Sequence, residues 1–525
     1  MKKIFLAIAL MASTGWMTSC SKMDLDLVPE DYFASGSFWK NEEQVSGAMK
    51  GLHAQLRNNQ STFWTLGELR GGTLRDGTGF TGTSSLSSAT IIIQDLRESA
   101  TGISGWAGLY APIFQVNNFI YQVNNASYLS DDKKAYYLGQ AHGIRAFYYF
   151  HLFRTYGRIP LVTEPLVAIN TPSSAESAYT ARTKTEKESL DFIKEEINKS
   201  VSSFGDDFSI KDQKGQWSLA ASQMLKAEVY LWSAKVSIDG SAPTATQQDL
   251  QTAKTAVEAV IPKFSLQSSF GNVFNSASVA ANKGNNEIIF AIRYLTGEAA
   301  NTLFPYFIYA PADVLSGYVD DKGNSIDGDP LKIASSGTIL RYEYKYDLYQ
   351  LFDAADQRAN FTFLNFNKGD LHAVILRKYL GTFQNDIRVY TDDYPIYRLA
   401  DAYLLLAEIK NKLNQDPTAE IMMVRNRAYQ GNAPQFVNGS FESNEIAIFY
   451  ERSKEFVAEG KRWYDLRRMQ DGNGRPLVFR KDLNLVGVLE NNDSQKHKIL
   501  WPIDLGTLSA DPKLTGDQNP GYSGT

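Results

Sequence analysis

EIAIFYERSKEFVAEGKRWYDLRRM, residues Glu445 to Met469, carries apolar or small residues at intervals of three and four: Ile446, Phe449, Tyr450, Ser453, Phe456, Val457, Gly460, Trp463 and Tyr464. That spacing places them on one face of an α-helix, and a face so rich in aromatics must be buried. On its flanks Arg452 and Glu455, and Glu459 and Arg462, stand three apart, where opposite charges on a helix can pair. Two roles fit. The stretch is a charged structural clamp, or it is a catalytic carboxylate cluster of Glu455, Glu459 and Asp465, because helical glycosidases set two acids across a cleft. Every acid here has a basic residue near it in sequence, and structural pairing is the commoner use of such residues in an amphipathic helix.

Outward from this stretch the composition is that of a globular protein, with 43% hydrophobic and 21% charged residues among 525, including 28 Tyr, 29 Phe and 8 Trp. This length permits several domains or one large helical assembly. A formal charge of −5 and no Lys/Arg run longer than two argue against a nucleic-acid partner, which calls for a basic patch.

At the N-terminus Lys2 and Lys3 precede the apolar run Ile4 to Leu10, and small and polar residues lead to Cys20, the layout of an export signal. Cys20 is the only cysteine, so no disulfide forms within the chain. Its position resembles the acylated first residue of a bacterial lipoprotein, although Met17, Thr18 and Ser19 depart from the usual Leu; an ordinary signal peptide cut elsewhere is the other reading. Residues 1–19 are therefore read as a lipoprotein signal peptide, 20–36 as a lipidated tether and 37–525 as one domain. No other stretch is apolar for the 18 or so residues a span needs, so attachment is expected through lipid alone.

Asn41 with Gln44 reads as an N-cap and its reciprocal partner, opening a helix through Val45, Met49, Leu52 and Leu56. From Asn58 to Thr90 Gly, Ser and Thr take over, and the segment reads as a long irregular excursion. Trp106 to Val123 marks a second helix, and Ser130 with Asp131 and Asp132 opens a third that ends at Gly157. Further helices are expected at Lys184–Ser200, Ser218–Ile238, Gln248–Ile261 and Tyr397–Leu413. Three helices share a register, in which Ala146, Tyr149 and Phe150 match Ala227, Tyr230 and Leu231, and these match Ala400, Tyr403 and Leu404. Small residues facing aromatics let helices approach closely, as in tetratricopeptide (TPR) hairpins. The copies are too far apart for a regular solenoid. The expected fold is mainly α, a scaffold of TPR-like hairpins with irregular insertions at 58–105 and 264–390; within the second, Asn286–Tyr294 reads as a short strand.

Catalytic motifs are nearly absent. The five histidines, at 53, 142, 151, 372 and 497, never stand at zinc-ligand spacing, and no phosphate-binding or nucleophile-elbow motif occurs. No cofactor is implied. Asp320, Asp321, Asn324, Asp327 and Asp329 offer oxygens for calcium but lack the EF-hand spacing, and a solvated turn is the simpler reading. A binding role draws more support. Trp64, Phe80, Trp106, Tyr306, Tyr309 and Tyr318 lie in or beside the irregular segments and offer flat apolar platforms, with Arg75 and Asp76 as hydrogen-bonding groups. Sugar rings, with apolar faces and hydroxyl rims, suit that mixture; the plainer reading is that these aromatics anchor loops.

Several stretches taken together resemble the SusD/RagB-like family of outer-membrane nutrient-binding lipoproteins: Cys20 after its export signal, RAFYYFHLFRTYGRIPLV, NNEIIFAIRY, DAADQR, YPIYRLADAYLLLAEI, ERSKEFVAEGKRWYDLRR, WPID and DQNPGY, in the family's order and across nearly the whole chain. The resemblance implies a helical fold with four TPR-like hairpins, an irregular half carrying the ligand site, and no enzymatic activity. It implies a lipid-anchored protein of the outer membrane that captures oligosaccharide or polysaccharide, or sometimes peptide, for a SusC-like TonB-dependent transporter. No ligand residue carries over, because the family keeps no common binding motif. With it, the stretch at Glu445–Met469 is read as a clamp around Phe456 and Trp463, and a lipid-anchored glycosidase becomes the lesser alternative.

Overall fold

The computed structural model describes residues 38–76, 89–103, 105–165, 179–274, 283–307, 317–326, 342–385 and 387–522; the export signal and Cys20 lie outside them. Among helices of seven or more residues we number α1 Glu42–Asn58, α2 Gln60–Glu68, α3 Ala107–Asn125, α4 Asp131–Tyr156, α5 Glu186–Phe204, α6 Leu219–Lys235, α7 Thr246–Val260, α8 Leu399–Lys412, α9 Thr418–Ala428, α10 Phe441–Glu455 and α11 Arg462–Arg468. Sequence neighbours pack as pairs, α3 on α4, α4 on α5, α6 on α7 and α8 on α9, while α7 and α10 both lie against α8. This is the helical-hairpin scaffold expected from the sequence. The shared register explains the closeness: Ala146, Ala227, Ala400 and Ala407 are wholly buried, so backbones meet where side chains are small.

Local chemistry sets the helix ends. Asn41 Oδ1 accepts the Gln44 N–H at 3.0 Å, while the Gln44 side chain accepts from Lys40 rather than from Asn41. Thr185, Ser218 and Ser440 cap α5, α6 and α10 in the same manner. Gly157 ends α4 with φ of 72°, as a left-handed residue at that position should.

The strands are β1 Leu74–Asp76, β2 Ile288–Ile292, β3 Tyr342–Tyr344, β4 Phe363–Lys368, β5 Leu371–Leu376, β6 Thr382–Gln384, β7 Ile387–Val389 and β8 Tyr394–Arg398. They pair antiparallel as β1–β3, β2–β8, β4–β5 and β6–β7. Two expectations need correction here. The excursion after α1 is not irregular throughout, since it holds α2 and β1. Tyr397 belongs to β8 rather than to the following helix, because the aromatic run Tyr394–Tyr397 pairs with β2 and Arg398 is still extended where α8 begins.

The larger correction concerns Glu445–Met469, which is two helices. The chain turns between α10 and α11 through Ala458 (φ 63°) and Gly460 (φ 69°). There the Glu68 carboxylate accepts the N–H groups of Ala458 and Gly460, both at 3.2 Å, in place of helical carbonyl partners. Gly67 makes the approach possible: a Cβ on it would lie 1.7 Å from the Gly460 oxygen. The expected i,i+3 pairs are absent as well. Arg452 pairs instead with Asp401 at 2.9 Å and Asp465 at 2.8 Å, and Arg462 donates to the carbonyls of Gly71 and Leu485 and to Ser453 Oγ. Once buried, each charge takes whichever partner best satisfies its geometry, and those partners are distant in sequence.

These residues form one buried polar layer. Arg398 contacts Glu287 at 3.0 Å, Glu455 at 2.5 Å and Glu459 at 2.9 Å, all four without solvent exposure. Glu455 also receives Arg358 and Arg427, and Glu459 receives Lys378. On the other side Asp465 and Glu408 share Arg468, and Glu408 and Glu445 share Lys235. Glu287, Arg358 and Lys378 come from the inserted half, whereas Arg427, Glu455 and Glu408 come from scaffold helices, so the layer joins the two. Around it Trp463 is fully buried, and the Phe456 ring lies 4.6 Å from the Arg398 guanidinium and 4.8 Å from that of Arg452.

Removing Arg398 would leave three carboxylates short of a partner in a dry interior. Arg398→Ala should therefore lower unfolding free energy by about 3–5 kcal/mol in a denaturant titration; a loss below about 1 kcal/mol would show that the layer is not structural. Glu68 gives a pH signature. Burial raises its carboxyl from the ordinary 4.5 to about 7, against the opposing pull of the Ala458 N–H, Arg462, Tyr344 and Lys378. Because the folded value is the higher one, the stabilising contribution is full below the unfolded value and fades as pH rises from 4.5 to 7. Glu68→Gln should flatten that part of the melting-temperature profile.

Candidate ligand-binding surface

The two inserted regions meet where β1 pairs with β3. The register sets Arg75 opposite Glu343, and the fully buried Glu343 carboxylate receives the Arg75 guanidinium through two bonds, at 2.7 and 3.1 Å. Arg75 also donates to the His372 carbonyl on β5 at 2.9 Å. One arginine thus ties together three strands.

The His372 ring lies on Tyr346 with centroids 3.5 Å apart and planes 2° from parallel, and Tyr349 extends the stack at 5.9 Å and 25°. The three rings are half-buried. Polar groups surround them. His372 Nδ1 donates to Asn367 Oδ1 at 2.6 Å. Asn365 Nδ2 donates to Asp321 Oδ1 at 2.7 Å, and the Tyr349 hydroxyl donates to Asp321 Oδ2 at 2.5 Å. Burial, then the Asp321 bond, pushes the Tyr349 hydroxyl well above its ordinary value, so it stays protonated. The result is an aromatic ledge beside a carboxylate, two amides and a guanidinium. It suits a ligand with flat apolar faces and a hydroxyl rim.

Of the residues singled out from sequence, Arg75 lies at the centre of this ledge. Trp64 lies beneath it and is no open platform: it is wholly buried, edge-on to Phe307 at 5.3 Å and 5.2 Å from Tyr342. Tyr318 is 5% exposed, with the Lys368 ammonium 5.6 Å from its ring. Trp106 opens α3, where it packs edge-on against Tyr110 and Tyr156 in the scaffold core. For these three, the gain from burying a large ring outweighs presentation to solvent. Tyr306 is 38% exposed, in the short turn Phe304–Phe307. Phe80, Tyr309 and the Asp76 side chain lie outside the described residues. Tyr346, Tyr349 and His372 escaped the sequence reading. For the two tyrosines the signal was YEYKYDLYQ, residues 342–350, where tyrosines alternate as on a strand and then fall three apart as on a helix; His372 had none.

The carboxylates weighed for catalysis are placed differently. Glu455, Glu459 and Asp465 are buried and bound to basic side chains. Burial alone would raise Glu455, but Arg427, Arg398 and Arg358 hold it well below the usual carboxylate range, so it carries no proton to donate. Asp320 accepts the N–H groups of Lys322 and Asn324 in its own turn, Asp321 serves the ledge, and Asp327 and Asp329 lie outside the described residues. Among the described residues no group of three or more His, Cys, Asp or Glu could hold a metal ion.

Comparison with known proteins agrees with this architecture. The SusD family model matches residues 372–522, and a model described as starch-binding associating with outer membrane matches residues 38–231. The structure is similar to a SusD superfamily protein of Bacteroides fragilis, at 38% identity and a TM-score of 0.81, covering 93% of this chain and 100% of that one. SusD-like protein P38 of Formosa agariphila is 25% identical over 99% of each chain. Surface glycan-binding protein A of Bacteroides uniformis shares the fold at 21% identity, with a TM-score of 0.69 over 91% of this chain and 99% of that one.

Proposed function

The chain belongs to the SusD superfamily, and from that premise we propose that it is a glycan-binding lipoprotein of the outer membrane that captures oligosaccharide or polysaccharide at the Arg75–Tyr346–His372 ledge. The ledge carries the proposal, because it combines stacked ring faces with fixed donors and acceptors on a surface built from both insertions. The similarity to a protein named as surface glycan-binding supports it. Cys20, following an export signal, supplies a lipid anchor, and no helix among the described residues is long and apolar enough to cross a membrane. A protein so tethered passes its ligand to a SusC-like TonB-dependent transporter. On this reading it acts by binding rather than by catalysis, which the burial of Glu455, Glu459 and Asp465 against basic partners supports.

Binding of the purified protein to a panel of polysaccharides and peptides, measured by calorimetry, tests this reading. At least one polysaccharide should bind. Tyr346→Ala should weaken it about tenfold, the worth of one aromatic contact, with little change in melting temperature. Binding to peptides alone, or polysaccharide binding indifferent to Tyr346, would overturn the assignment.

A further inference from the structure

A second concavity, of about 440 Å³, lies between α1, the turn at Asp212–Gly215 and β2. That volume falls within the range of small-ligand sites. Its floor is apolar, formed by Leu56, Phe290 and Ile292. Three cations, Lys50, Arg57 and Arg293, converge on it against two carboxylates, Asp212 and Glu298. Arg57 binds Glu298 at 2.5 Å and Arg293 binds Asp212 at 3.1 Å, each through Nη1, and Arg293 Nε also lies 3.8 Å from Asp393, whose carboxylate is held by Lys283 at 2.8 Å. With Asp393 matched by Lys283, Lys50 is the cation left over: it is exposed and makes no ion pair among the described residues, so the concavity keeps one unbalanced positive charge. His53 adds none: its Nδ1 donates to the Met49 carbonyl and its Nε2 accepts the Trp217 N–H, both at 2.9 Å, which fixes a neutral ring.

The turn that forms one wall is held in an uncommon shape. Asp212, Gln213 and Lys214 have successive positive φ values of 50°, 47° and 68°. Three consecutive left-handed residues other than glycine are costly, and such strain persists where the surroundings enforce it, often at ligand sites. The enforcement is visible. Gly284 admits the turn, since a Cβ there would lie 2.3 Å from the Gln213 oxygen. Gly215 leaves room for Arg293, whose Cδ would stand 2.5 Å from a Cβ at that position. Arg293 is thereby laid along the wall.

We propose that this concavity is a second binding site, separate from the ledge, for a carboxylate carried on a compact body of about disaccharide or dipeptide size. Lys50 supplies the unpaired charge, Arg57 and Arg293 can add guanidinium donors, and the apolar floor takes the ligand's body. An acidic sugar and a peptide C-terminus both present this chemistry.

Calorimetry on the purified protein distinguishes them, with digalacturonic acid against its dimethyl ester and N-acetyl-Ala-Leu against its amide. One of the free acids should bind saturably, its neutral form at least tenfold more weakly, and raised salt should weaken the interaction. Lys50→Gln combined with Arg57→Gln should cost at least tenfold while Tyr346→Ala costs nothing. If the double variant melts early, Lys50→Gln alone, at an exposed position, should reduce affinity with an unchanged melting temperature. Saturable binding by neither acid, equal binding of the neutral forms, or sensitivity to Tyr346 but not to Lys50 and Arg57 would overturn the proposal. Loss of ledge binding alone would leave it standing.

Discussion

The structure depends on a layer of buried ion pairs centred on Arg398 and Glu455. Burying a charge is expensive unless it is paired and fully hydrogen-bonded, and here each acid meets at least one guanidinium or ammonium. Such a layer contributes little by comparison with a well-packed apolar one, but it is unforgiving of misalignment. Glu287, Arg358 and Lys378 find their partners only when the inserted half lies in one position on the scaffold. The layer therefore acts as a registration device, and the binding ledge inherits its placement.

The turn between α10 and α11 is the mechanical counterpart of that layer. A helix running straight through Phe456 to Lys461 would have kept its N–H groups internal. Left-handed Ala458 and Gly460 release two of them to Glu68 at the end of α2. Glu68 also accepts the Tyr344 hydroxyl at 3.1 Å, and Tyr344 lies on β3 beside Glu343, the anchor of Arg75. A single carboxylate thus touches the clamp, the first helical excursion and the strand beneath the ledge. The chain end is fastened in a similar way: Asn519 donates to the Trp501 carbonyl at 2.7 Å, and the Trp501 N–H reaches the Thr155 carbonyl near the end of α4 at 2.8 Å.

Much of the scaffold was legible because its signals are local. The cap at Asn41, the stop at Gly157 and the alanines facing aromatics all act within a few residues. What was illegible is what depends on distance. The pairing of Glu455 with Arg398 spans 57 residues and that of Arg75 with Glu343 spans 268, so neighbours in sequence suggested the wrong partners. The ledge shows the same limit: aromatic content marked the right regions, but whether a ring is exposed or buried follows from packing, and Trp64 and Tyr318 went to the core while Tyr346 and His372 formed the stack.

The central claim is that the buried layer holds the inserted half, and with it the ledge, against the helical scaffold. Native-state hydrogen exchange on Glu455→Gln tests it most directly, because that change removes a charge shared by Arg358, Arg398 and Arg427 without altering size. Amides of β3, β4 and β5 should lose protection together and ahead of those in α4 and α6. Unchanged protection in these strands, or a uniform loss across scaffold and insertion alike, would contradict the account.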